Sequence, residues 1–314
     1  MTQPAAGTSK KGLFSRDDYL APPHIPTGQP PRDMLNIIWR KNDVFLDIGS
    51  YSIGSAVMVI WPLLVLFIWM GWLTGAEVIG DSFYWYGFMC FCGIPILIFL
   101  YGLTQPVPPP VRFNRQRREV CVSQKDGSYW IVPWEQVSAV ATAVSSIGQH
   151  GKTTQGLLVV GFTNPDPDAT EENKHFNLGF SCGGGITAMR LWECIRSYME
   201  VGPEAVPRCS FEGEATGRSL LGWLFSLIGD ALKSLIKGDF KSALKDLFFT
   251  FLLGAPLGFY LQERKLLPPP DLTDPDIVAW SRPLPPEQWA RRSIELERAV
   301  AEREADLAGG TPGI

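Results

Sequence analysis

Two stretches of the chain carry no charged residue. Ile53–Leu73 reads IGSAVMVIWPLLVLFIWMGWL, Phe83–Leu103 reads FYWYGFMCFCGIPILIFLYGL, and each has 21 residues. Neither alternates in polarity as a soluble amphipathic helix does. At 1.5 Å per residue, each is long enough to cross a hydrocarbon core of roughly 30 Å. Pro62 and Pro95 would weaken a soluble helix but are tolerated in a membrane. After Pro106–Pro110, a stiff run that ends the second helix, the period changes. Strands are predicted at 119–123, 129–132, 137–144, 156–163 and 176–180, with Asp126-Gly127 as a turn. Ile186, Met189, Leu191, Trp192, Ile195 and Met199 then repeat at helical spacing up to Gly202-Pro203.

Two further apolar patterns follow. Leu220, Leu224, Leu227, Ile228, Ala231 and Leu235 form a helical stripe edged by Arg218, Lys233 and Lys237. It fits a helix lying in the membrane surface, or one covering the soluble domain. Phe248–Leu261 has only 14 residues, contains Gly254, Pro256 and Gly258, and has lysine or arginine on both sides. It is too short for a full span and reads as a re-entrant or interfacial segment, or as a helix packed on the soluble domain. Beyond it, Leu267–Pro286 is proline-rich and Glu287–Leu307 is a charged helix.

The organisation expected is an N-terminal cytoplasmic arm (1–50), a transmembrane hairpin (51–104), a cytoplasmic β domain with a closing helix (105–203), amphipathic and interfacial or re-entrant helices (204–266), and a Pro-rich segment with a charged helix (267–314). The fold class is a membrane α-helical hairpin plus an α+β domain. That domain is a small antiparallel β barrel or curved sheet with a C-terminal helix, similar to the pleckstrin-homology architecture. Trp134 and Val137 fit the Trp-x-x-Val strand element of that type.

Charge sets the orientation. Lys10, Lys11, Arg16, Arg32, Arg40 and Lys41 precede the first apolar run, and Arg112, Arg115, Arg117 and Arg118 follow the second. The connection between them, 74–82, has no Lys or Arg. The positive-inside rule puts both termini in the cytoplasm. Trp69, Trp72, Tyr84, Trp85 and Tyr86 flank the connection as an interfacial belt. The net charge of −4 gives no overall basic surface for nucleic acid. The six cysteines are scattered and form no disulfide framework.

Gly179-Phe180-Ser181-Cys182-Gly183 matches G-x-S-x-G. Yet His24, His150 and His175 all precede Ser181, the reverse of the order that nucleophile needs, and the favoured reading is a turn. Gly183-Gly184-Gly185 has no following Lys to act as a phosphate loop, and Cys90-x-Cys92 has no His or carboxylate beside it. No catalytic, metal or cofactor site is expected. Arg112, Arg115, Arg117 and Arg118 form the densest charge cluster. Set just inside a membrane, they would meet anionic headgroups at roughly 1 kcal/mol each.

The box Pro110-Val111-Arg112-Phe113-Asn114-Arg115-Gln116-Arg117-Arg118-Glu119-Val120, directly after the hairpin, resembles an uncharacterised family of proteobacterial two-helix inner-membrane proteins. The resemblance covers roughly 33–202. Such proteins often occur near type VI secretion or other toxin-delivery loci. It implies a non-enzymatic immunity or accessory role in the inner membrane, with a cognate toxin or secretion component as partner. Trp134 and Trp289 are the expected partner surface. The competing expectation is a membrane-surface scaffold or lipid-sensing module of pleckstrin-homology type.

Overall fold

A computed structural model describes residues 9–11, 15–20, 24–49, 51, 53–124, 126–148, 151–182, 185–209 and 217–309. The chain starts with strands β1 (Ser9–Lys11), β2 (Ser15–Leu20), β3 (Ile38–Lys41) and β4 (Phe45–Ile48). Helices α1 (Gly54–Thr74) and α2 (Ser82–Thr104) follow. Strands β5 (Val111–Asn114), β6 (Glu119–Ser123), β7 (Tyr129–Pro133), β8 (Ser138–Gly148), β9 (Gly151–Thr163) and β10 (His175–Cys182) lead to α3 (Gly185–Glu200). The chain ends with α4 (Leu220–Ile236), the bent pair α5 (Phe240–Leu252) and α6 (Ala255–Leu266), then α7 (Pro275–Trp280) and α8 (Ile294–Ala308).

These elements form two compact units, 1–50 with 109–210 and 271–314, and 51–108 with 211–270. In the first, two antiparallel sheets have the strand orders β1-β2-β8-β9-β10 and β3-β4-β5-β6-β7. Both sheets are open, which corrects the barrel alternative: among the described residues no strand of one pairs with a strand of the other, so the edges do not close. The sheets meet through Phe113 of β5 and Phe162 of β9, whose rings lie 6.4 Å apart. The core also holds Trp134, Leu191, Trp192, Ile195 and Tyr198, all buried. The helical stripe of α3 supplies four of these five, because Leu191, Trp192, Ile195 and Tyr198 fall on one face.

Two parts of the sequence join this unit unexpectedly. The N-terminal arm gives β2, whose Ser15–Leu20 pairs with Val144–Ala139 of β8. The Pro-rich tail, expected to be separate, folds back so that Leu272, Ile277 and Trp280 cluster with Cys121 of β6. A short apolar tail segment beside an edge sheet has somewhere to bury its side chains, which isolated proline-rich chain does not.

The second unit contains two helices long and apolar enough to cross a membrane, as a membrane protein requires. Protein covers only 17% of the α1 window and 6% of the α2 window. Apolar side chains exposed all round a helix need an apolar solvent. The pair is joined by aromatic contacts: Tyr84 Oη donates to the Phe67 carbonyl at 2.8 Å, and the Phe67 and Phe88 rings are 5.9 Å apart. Gly71 makes room, since a Cβ there would lie 2.8 Å from Tyr84 Oη. A π-helical turn, Met89–Gly93, interrupts α2.

The hairpin is an insertion within a sheet. β4 and β5 are antiparallel neighbours with Ile48 opposite Val111, although the whole apolar hairpin separates them in sequence.

Candidate functional site

The arginine box forms a β-hairpin. β5 and β6 pair from Arg112↔Cys121 to Asn114↔Glu119, leaving 115–118 as the loop. Asn114 shapes that loop: its Oδ1 accepts from the backbone N–H of Gln116 at 3.1 Å and of Arg117 at 3.2 Å. Arg118 closes it in the left-handed region, with φ 53°.

The four arginines do not project as a basic patch. Arg112 is 2% exposed. Its Nε and Nη2 grip Asp47 at 2.6 and 2.7 Å, Nη2 also reaches Asp271 at 2.7 Å, and Nη1 donates to Ser281 at 3.0 Å. Its guanidinium lies 3.8 Å from the Phe45 ring centre. Arg118 is also buried, donating to Glu200 at 3.0 and 3.2 Å and to Glu135 at 3.2 Å. Arg117 Nε donates to the Trp280 carbonyl at 2.9 Å. Arg115 stacks over Trp289 at 5.5 Å and donates to the Val201 carbonyl at 3.3 Å. This corrects the expectation of a lipid-facing box for Arg112 and Arg118, whose charges are already matched by buried carboxylates. Trp134 is likewise 0% exposed and is no partner surface, while Trp289 keeps 37% exposure.

The residues gripped by the box belong largely to the tail. Asn114 Nδ2 donates to the Trp280 carbonyl at 3.2 Å, and the Trp280 indole donates to Glu119 at 2.7 Å. Gln116 accepts from Leu284 N–H at its side chain (2.7 Å) and from Ala290 N–H at its backbone carbonyl (2.8 Å). Glu200 gathers three donors: Arg118, the Trp134 indole at 2.7 Å, and Arg292 of the tail at 2.5 Å. The box therefore clamps 271–292 to the sheet. Sequence reading missed this because the partners are about 160 residues away and a dense arginine cluster after a membrane segment has a ready explanation in topology.

Electrostatics follows the contacts. Burial alone would raise the Glu200 carboxyl, but Arg118, Trp134 and Arg292 outweigh it and hold it below the usual carboxylate range. Asp271 is held low in the same way, by Arg112 above all. At Asp47, burial dominates and the carboxyl is pushed up despite Arg112. His24, also buried, donates from Nε2 to the Trp134 carbonyl at 3.0 Å, and burial pushes its pKa below the ordinary histidine value.

Ser181 lies on β10 opposite Leu157 of the antiparallel β9, not on a parallel strand-to-helix turn. His175 is at the far end of the same strand, and His24 is buried beside Trp134. His150, Gly183 and Gly184 lie outside the described residues. Among the described residues no group of three or more His, Cys, Asp or Glu could hold a metal ion.

One part of the first sheet extends past its neighbours. β8 and β9 pair with each other out to Gly148↔Gly151. β2 covers β8 only as far as Val144, and β10 covers β9 only from Gly156. Among the described residues, Ser145–Gly148 and Gly151–Gln155 have no other strand beside them. At about 3.4 Å per residue, this ribbon extends roughly 14 Å past its neighbours.

The profile of the family of unknown function DUF6708 matches residues 88–261, more than half of the chain, and the chain belongs to that family. No curated protein and no solved structure matches it.

Proposed function

We propose that this chain is a non-enzymatic recognition protein of the bacterial inner membrane, with both termini in the cytoplasm, acting as an immunity or accessory protein of a toxin-delivery system. The observation that carries the reading is the β8–β9 ribbon. Its two edges, which pair with no further strand among the described residues, offer N–H and C=O groups that can take up an extended segment of another protein by strand addition. The inserted hairpin supports it, because β4 and β5 of the unit that carries the ribbon are joined in sequence by a membrane anchor. The connection between α1 and α2 is too small to hold a toxin alone, so the partner is met in the cytoplasm or within the membrane.

The test is protection. Cells making a toxin whose gene is found to adjoin this one should survive with the wild-type chain and die with Ser146→Pro or Thr153→Pro, variants that remove ribbon hydrogen-bond donors. Death with the wild-type chain, or full protection by both variants at normal membrane levels, would refute the reading.

A membrane-surface module of pleckstrin-homology type is the second reading. What favours it is the chain order, β5-β6-β7 and β8-β9-β10 followed by the closing helix α3. The inward-facing Arg112 and Arg118 take the arginine box out of its support.

A further inference from the structure

The segment 211–270 leaves the first unit and comes back to it. Before it, Cys209 Sγ contacts the carbonyl oxygens of Ile38 and Trp39 at 3.0 and 2.9 Å. After it, Asp271 pairs with Arg40 at 2.9 Å and Arg112 at 2.7 Å. A bilayer cannot pass through a folded unit, so the segment crosses it an even number of times. The α5–α6 pair is apolar enough to count as a span only if its two arms are one helix, but they are bent by 66°. A single crossing there would need a second one, and α4 is unsuited: it has 17 residues and carries Asp230 and Lys233.

The packing inside the second unit says where the bend lies. The Trp61 indole donates to the Phe251 carbonyl at 2.9 Å, satisfying an acceptor freed at the break. Gly254 starts α6 with φ 67°, and a Cβ there would sit 2.6 Å from the Trp61 ring. Trp61 is seven residues along α1 from Gly54, about 10 Å into a span of roughly 30 Å. From that point α6 runs back along α1. Gly258 is close enough that its Cβ would lie 3.4 Å from the Gly54 Cα. Gln262 then bridges the start of α1, accepting from Ile53 N–H at 2.6 Å and donating to the Tyr51 carbonyl at 2.8 Å. Lys265 Nζ caps the end of α2 at the Leu103 carbonyl, 2.6 Å away.

The surface agrees with that path. At the bend, Phe248, Phe249, Phe251 and Leu252 are exposed. The charges lie away from the bend, with exposed Lys241 and Lys245 and half-buried Asp246 on the first half of α5, and buried Glu263 and exposed Arg264 near the end of α6. On α4, Leu221, Phe225, Leu232, Leu235 and Ile236 make one exposed apolar stripe, next to a face carrying Asp230, Lys233 and Lys237.

We propose that α5–α6 is a re-entrant hairpin whose apex lies among the acyl chains of one leaflet, with α4 along the headgroup plane of that leaflet. The partner of this surface is lipid. The apolar apex is held by chains and the basic ends by headgroup phosphates, and the chain crosses the bilayer only through α1 and α2.

The test uses the full-length chain with Cys90→Ser in vesicles of phosphatidylcholine and phosphatidylglycerol. A nitroxide is placed at Phe251→Cys, and in a second protein at Leu252→Cys in case the first disturbs folding. Its collisions with oxygen and with a water-soluble nickel chelate give its depth. The expected result is a label in the hydrocarbon region within one leaflet, while Lys241→Cys and Arg264→Cys react with an impermeant maleimide from the same face. A label dominated by the nickel chelate, a label reached by neither quencher, or reaction of 241 and 264 from opposite faces would each overturn the proposal. A label at Phe91→Cys, midway along α2, reports independently on whether the hairpin itself is in the bilayer.

Discussion

Glu200→Gln should weaken the first unit more than any other single charge change in the clamp. The wild-type carboxylate is 1% exposed and takes donors from Arg118, Trp134 and Arg292. The amide has no charge and turns an NH2 toward one of the guanidinium groups. Breaking a buried ion pair from one side costs about 3–5 kcal/mol, because the other charge is left in a poor solvent. Two features hold the loss to the low end of that range. Arg118 keeps Glu135 at 3.2 Å, and the Arg292 side chain is 32% exposed and can reach water. A loss of about 3 kcal/mol lowers Tm by roughly 6–12 °C for a domain of 150–250 residues. The Trp134 and Trp192 rings, stacked 5.7 Å apart, give a near-ultraviolet circular-dichroism signal from this core, so the melt can be followed there in detergent. Arg292→Gln should lower Tm by less, and the double variant should show coupling of about 0.5–3 kcal/mol with Glu200→Gln. A Tm change under about 2 °C for Glu200→Gln would mean that the carboxylate cluster does not hold the tail, and the clamp would be wrong.

Further outcomes follow from the same contacts. Arg117→Ala removes a donor to the Trp280 carbonyl, so trypsin should release the tail after the exposed Arg282 several-fold faster than in the wild type. Gly49→Ala would place a Cβ 2.0 Å from the buried Trp39 ring, and the unit should fail to give a cooperative melt. Because burial depresses the His24 pKa, the unfolded chain takes up that proton more readily. Stability should fall as pH drops below about 6.5, and His24→Gln should flatten that limb. The Glu200 contribution has the carboxylate sign. It is fully present above about pH 4.3 and lost only as pH falls through the lower folded value, so the second loss comes later in an acid titration.

The parts of the fold that repeat over short distances were legible in the sequence. The two spans, the strands at 119–123 and 129–133 and the helix α3 follow from uninterrupted apolarity or from period alone. What escaped was set by distant partners. β3 and β4 are four residues each and lie on the other side of the hairpin from β5, their continuation in the sheet. The tail has too few apolar residues to announce a core, and Leu272, Ile277 and Trp280 become core by packing with Cys121, Tyr129 and Ile131. At the candidate site the residue types were found and their direction was not. Arg112 looks the same in sequence whether it faces phosphate or Asp47. Trp134 stands out in the sequence through its Trp-x-x-Val element, and its ring is buried with Phe113 and Trp192.

The claim on which the rest depends is that the chain leaves the first unit twice and returns to the same side of the membrane each time. Single cysteines at Asp126, in the β6–β7 turn, at Gly80, between α1 and α2, and at Glu302, on α8, can be placed in full-length Cys90→Ser protein and labelled with an impermeant maleimide in oriented membrane vesicles. Asp126→Cys and Glu302→Cys should be labelled from one face and Gly80→Cys from the other, as that topology requires. Labelling of Glu302→Cys from the face opposite Asp126→Cys, or of all three from one face, would contradict it.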